Sequence, residues 1–78
     1  MAKISARGAT KVAEIRARRK DGTYEVVLVM CSDGRILRRY VGDTTGGGYG
    51  LLTKVKRREN INRAALVKYA EAIGYVEI

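Results

Sequence analysis

Apolar and charged positions alternate over Ala13-Glu14-Ile15-Arg16-Ala17-Arg18, the two-residue period of a half-buried strand. Ala, Glu and Arg also favour helices, so a short helix is the competing reading here. Asp21-Gly22 follows at hairpin distance and tips the balance to a strand. The run Thr23 to Cys31 is rich in β-branched residues and ends at Ser32-Asp33-Gly34, a second hairpin signal. Arg35 to Val41 reads as a third strand. Leu51 to Arg58 suits a strand, an extended arm or a helical turn. Beyond it, Ala65, Leu66, Tyr69, Ala70 and Ile73 recur at helical spacing, with Asn60 and Asn62 as alternative N-caps and Gly74 at the C-cap. Tyr75 to Ile78 alternates again and suits a short final strand or a tail.

The pattern predicts one small α+β domain over residues 1–78: a three-stranded antiparallel β-meander packed against a C-terminal α-helix. Its parts are an arm over 1–10, the meander over 11–42 and a glycine-rich loop over 43–50. A basic segment over 51–59, the helix over 60–74 and the closing strand or tail over 75–78 complete it.

Two-residue turns at both Asp-Gly pairs place Ala17 opposite Val26 and Ile15 opposite Leu28, with Met30 opposite Leu37 and Val26 opposite Val41. Ala13, Ile15, Ala17, Tyr24, Val26, Leu28, Met30, Leu37 and Val41 then form a core face for the helix. Glu14, Arg16, Arg18, Glu25, Val27, Val29, Arg38 and Tyr40 occupy the opposite face. A three-residue loop with a glycine bulge is the other common geometry at Asp-Gly, and a slip of one residue reverses the faces of one strand against its partner.

Charge changes this picture from a fold to a class of partner. Lys and Arg number 16 and Asp and Glu 8 in 78 residues, a net charge of +8. Residues 1–42 carry +6, residues 43–63 carry +3 and residues 64–78 carry −1, so the positive charge lies on the sheet and the connecting segment while the helix is backing. Two clusters stand out, Arg16-Ala17-Arg18-Arg19-Lys20 and Lys54-Val55-Lys56-Arg57-Arg58. A polyanion rewards such clusters through counterion release.

The candidate nucleic-acid contacts are therefore Arg16, Arg18, Arg19, Lys20, Arg38, Lys54, Lys56, Arg57 and Arg58, with Tyr40 supporting the surface. Tyr40 and Tyr49 are placed to stack on unpaired bases. Duplex DNA stands ahead of RNA. An RNA-binding or ribosome-associated protein is one alternative. A structural, self-associating protein is another, favoured by Val27, Val29 and Cys31 on an outer face.

Other chemistry finds little support. With no His, neither a Ser–His nor a Cys–His pair exists, and no His-ligated metal site. Asp21, Asp33 and Asp43 sit in separate turns, where Asp is common. No catalytic residue, metal or cofactor is expected. Gly46-Gly47-Gly48-Tyr49-Gly50 fits neither the Walker pattern nor the dinucleotide fingerprint. Cys31 alone cannot form an internal disulfide, which suits a reducing, cytoplasmic setting. The longest apolar run, Val26 to Cys31, is far short of the ~20 residues of a membrane span, and the polar face of the helix, with only Arg63, Lys68 and Glu71, argues against an anionic membrane surface, so no membrane partner is expected.

Arg19-Lys20-Asp21-Gly22-Thr23-Tyr24-Glu25-Val26 resembles the opening hairpin of the arm-type DNA-binding domains of tyrosine recombinases. Those domains, and the similar plant AP2 domain, place a three-stranded sheet in the major groove with a helix behind it. The resemblance covers residues 13–42 and the helix. It is one of architecture, the glycine-rich stretch departs from it, and no residue roles are carried across.

Overall fold

A computed structural model describes residues 10–42 and 48–78 of the chain. The arm predicted over 1–10, apart from Thr10, and most of the glycine-rich loop lie outside the described residues.

Five strands form one antiparallel sheet: β1 (Lys11–Arg19), β2 (Glu25–Cys31), β3 (Arg35–Tyr40), β4 (Gly50–Lys54) and β5 (Tyr75–Glu77). A 3-10 turn (Arg58–Asn60) and helix α1 (Arg63–Ala72) separate the last two. The sheet order is β4-β3-β2-β1-β5, so the expected meander is its centre and each flank gains a strand. The three-stranded expectation is thus two strands short. The alternation over Leu51 to Lys54 resolves as strand because β3 offers it an open edge. The ladder there runs from Arg35 opposite Lys54 to Arg38 opposite Gly50, with a bulge between Ile36 and Leu37.

The first hairpin has the expected register: Ala17 opposite Val26, Ile15 opposite Leu28 and Ala13 opposite Met30. Its turn is wider than two residues. The Gly22 N–H donates to the Arg19 carbonyl at 2.8 Å, and Asp21 accepts from both the N–H and the hydroxyl of Thr23.

The second hairpin departs from the two-residue turn and slips by one. Met30 stands opposite Ile36, Leu28 opposite Arg38 and Val26 opposite Tyr40. The cause is a three-residue loop, Ser32-Asp33-Gly34. The Gly34 N–H donates to the Cys31 carbonyl at 2.9 Å, Gly34 adopts φ 96°, and Asp33 Oδ1 accepts from the Arg35 N–H. Leu37 and Val41 therefore leave the expected core face, and Ile36, Arg38 and Tyr40 take it instead.

The principal core lies between the sheet and α1. Ala13, Ile15, Ala17, Val26, Leu28, Met30 and Ile36 supply the sheet side, Leu66 and Ala70 the helix side, and Tyr75 the edge. α1 packs on β1, β2 and β5. Of the two candidate caps, Asn62 is the one used. Its Oδ1 accepts from the Ala65 N–H at 2.9 Å while its Nδ2 donates to the Glu59 carbonyl at 2.8 Å. The helix ends at Gly74, whose φ of 97° reverses the chain and whose carbonyl accepts from the Lys20 N–H in the first turn. Replacing Asn62 by Ala should lower stability by about 1 kcal/mol, read as a shift in urea midpoint at constant slope.

Candidate nucleic-acid interface

Side chains on the sheet face away from α1 follow directly from the registers. Across β2 run Val27, Val29 and Cys31, joined by Leu37 of β3 into a second small apolar cluster on which Tyr49 packs. Cations flank this stripe on both sides. Arg16 and Arg39 stand on either side of Val27, and Lys11 opposes Cys31. Arg18 opposes Glu25, and Arg35 opposes Lys54 further along β3. The Arg39 guanidinium lies 5.7 Å from the Tyr49 ring centroid.

This face also holds its own acids. Glu25 bridges Arg16 and Arg18, at 2.9 and 3.0 Å, and those guanidiniums hold its carboxyl below the usual range, Arg18 most strongly. Lys11 pairs with Glu14 at 2.7 Å and Arg35 with Asp33 at 2.6 Å. The Asp33 carboxyl is lowered first by the Arg35 backbone N–H, then by its side chain. Among the described residues, Arg39 and Lys54 have no ion-pair partner.

The expected contacts thus divide among four places. Arg16, Arg18 and Lys54 share the helix-free face. Lys20 lies exposed in the first turn. Lys56, Arg57 and Arg58 are exposed on the segment after β4, where Arg57 pairs with Glu59 at 3.4 Å. That segment is fixed to the sheet at its start, because the Val55 N–H donates to the Gly34 carbonyl at 2.7 Å.

Arg19, Arg38 and Tyr40 stand apart from these, around two further tyrosines at the sheet margin. The register slip puts Arg38 and Tyr40 on the helix side. There the Arg38 guanidinium lies over the Tyr40 ring, 4.8 Å from its centroid, and donates to the Tyr75 hydroxyl at 3.3 Å. Tyr40 meets Tyr24 edge to face at 5.2 Å, and Tyr24 meets Tyr75 at 6.1 Å. Arg19 donates to the Tyr24 hydroxyl at 2.9 Å, which raises the pKa of the guanidinium. Hydrogen bonding from Tyr75 and Arg19 lowers the Tyr24 hydroxyl, whereas burial raises that of Tyr75.

Sequence reasoning missed Arg39, Arg35 and Lys11 on the helix-free face. Ile36-Leu37-Arg38-Arg39 offers one apolar and one cationic residue to each side, so alternation alone cannot orient β3. The Ser-Asp-Gly loop was the signal that could have done so.

No group of three or more His, Cys, Asp or Glu side chains able to hold a metal occurs among the described residues. Among those residues no helix is long and apolar enough to cross a membrane. No family model, curated protein or solved structure matches this chain.

Proposed function

We propose that this protein binds nucleic acid without catalysing a reaction on it, and that duplex DNA is its preferred form. The observation that carries this reading is the separation of charge. In the described residues before α1, Lys and Arg outnumber Asp and Glu by 12 to 5, whereas Arg63–Ile78 holds two of each. The helix is backing, and the positive field belongs to the sheet and the segment that follows it.

The spacing favours a groove over a flat anionic surface. Cations on β1 and β3 are two strands apart, roughly 10 Å. That is close to the ~12 Å opening of the B-DNA major groove, whereas the A-form major groove of RNA is deep and narrow. Arg16, Arg18 and Arg39 would meet phosphates across the apolar stripe of β2, with Lys54, Lys56, Arg57 and Arg58 extending the track. Phosphate contacts of this kind position the protein and give affinity without reading sequence. The buried, unpaired thiol of Cys31 suits a reducing compartment, and we place the protein in the cytoplasm.

Glu25 provides the test. It neutralises two of the cations assigned to the interface, so Glu25→Gln should strengthen binding. An increase of several-fold for duplex DNA at low salt is expected, shrinking as salt rises. Filter binding with duplex DNA and structured RNA in parallel checks both the sign and the preference. Unchanged or weakened binding removes Arg16 and Arg18 from the interface, and preference for RNA reverses the choice of partner.

A second reading rests on exposed apolar side chains. Leu51 is 62% exposed opposite Leu37, and Val76 is 46% exposed opposite Arg18, both on the helix-free face. Self-association through that face would cover them. Sedimentation at low and high salt separates the two: a salt-insensitive oligomer lacking nucleic-acid affinity supports self-association.

A further inference from the structure

The arginine–tyrosine cluster on the helix side has no part in gripping a duplex from the opposite face. Tyr40 is 40% exposed, although it sits on the side of the sheet that α1 covers. The helix packs on β1, β2 and β5, and among the described residues Tyr40 at the end of β3 stays exposed. β4 pairs with β3 only as far as Gly50 opposite Arg38, so among the described residues Arg39 and Tyr40 have no strand neighbour on that side.

From this margin, Arg39 points to the helix-free face while Arg38 and Tyr40 point to the other. Tyr40 is braced edge to face by Tyr24, and its partner guanidinium, Arg38, is anchored through Nη1 on the Tyr75 hydroxyl. Among the described residues no acidic side chain pairs with Arg38, and Nη1 on the Tyr75 hydroxyl is the one side-chain hydrogen bond its five N–H donors make. A planar cation over a half-exposed aromatic ring offers flat surface to a second ring, and its charge suits an adjoining phosphate.

We propose that Arg38 and Tyr40 seat an unpaired base of a bound strand, so that the nucleic acid this protein prefers carries unpaired nucleotides beside its duplex. The proposal rests on the nucleic-acid reading above and adds a second site to it. A duplex hides the faces of its bases, and only an unpaired base can stack on this platform.

The experiment compares a labelled oligothymidylate of about ten nucleotides with an abasic strand of the same length, by fluorescence anisotropy in dilute salt. The two carry equal phosphate charge and differ only in their bases. The base-bearing strand should bind about tenfold more tightly to the natural protein, the scale of one stacked base. Tyr40→Leu should erase that difference while the abasic strand still binds. Arg38→Lys keeps the charge but loses the planar guanidinium, and should shrink the difference too. Far-ultraviolet circular dichroism confirms that both variants are folded. Equal affinity of the natural protein for the two strands, or a difference that survives in both variants, overturns the proposal and leaves the duplex reading standing. Binding of neither strand nor of duplex DNA overturns both.

Discussion

Gly34→Ala is expected to cost a large share of the stability, on the order of 3–5 kcal/mol. Two effects add at this position. The backbone sits at φ 96°, a region that side chains with a Cβ rarely adopt. A Cβ built there overlaps the Val55 carbonyl oxygen outright, and lies 3.1 Å from its carbonyl carbon and 3.3 Å from its nitrogen. These are backbone atoms, held in place by the Val55 N–H on the Gly34 carbonyl, so nothing nearby can swing aside. Relief would need the chain after β4 to lift off the second hairpin. Gly22 is the matched control: φ is 78° there, yet nothing lies within 4 Å of an added Cβ. Gly22→Ala should cost only about 1 kcal/mol, the backbone effect alone. Urea denaturation of both variants measures the difference. Equal losses would show that the close approach of Val55 contributes nothing.

Replacing Lys56, Arg57 and Arg58 together by Ala should flatten the salt dependence of duplex binding. Each phosphate contact contributes about 0.9 to the slope of log K against log salt, so loss of all three lowers it by up to about 2.7. All three side chains are exposed, and the Arg57–Glu59 pair is a surface pair of little weight. Stability should therefore stay within about 0.5 kcal/mol of the natural protein, which separates a binding effect from an unfolding one. A titration with duplex DNA from dilute to moderate salt reads the slope. An unaltered slope removes this segment from the interface and leaves the sheet face to carry it alone.

The contrast between the two hairpins explains what the sequence could convey. β1 alternates Ala13, Ile15 and Ala17 with charged residues, which fixes the side of β1 that is buried, and the expected register is found. β2 is apolar on both sides, and β3 divides its apolar and cationic residues evenly between faces. Neither strand could reject a slip of one residue, and the loop decided. The helix was legible because its apolar spacing, its Asn62 cap and Gly74 agree. β4 was ambiguous because Leu51 and Leu52 are adjacent, and the bulge opposite Ile36 and Leu37 absorbs the broken alternation. The candidate cations were legible as clusters in the chain but not as positions in space. Arg38 and Arg39 are neighbours that point to opposite sides of one strand. Arg16 and Arg18 share a side and also share one carboxylate, a partnership that charge counting hides.

The pairing of β1 with β5 joins Arg19 to Tyr75 and Ala17 to Glu77. As the protein is synthesised, the β1–β2–β3 portion leaves the ribosome with Ala17, Val26 and Leu28 bare, because the helix and the strand that shield them come later in the chain. At ~5–20 residues per second, some seconds pass before that grease is covered. The strong like-charge repulsion between nascent copies would keep them from coalescing in that interval, so the same arginines that we assign to gripping a polyanion would also act as the chain's own safeguard against clumping during its birth.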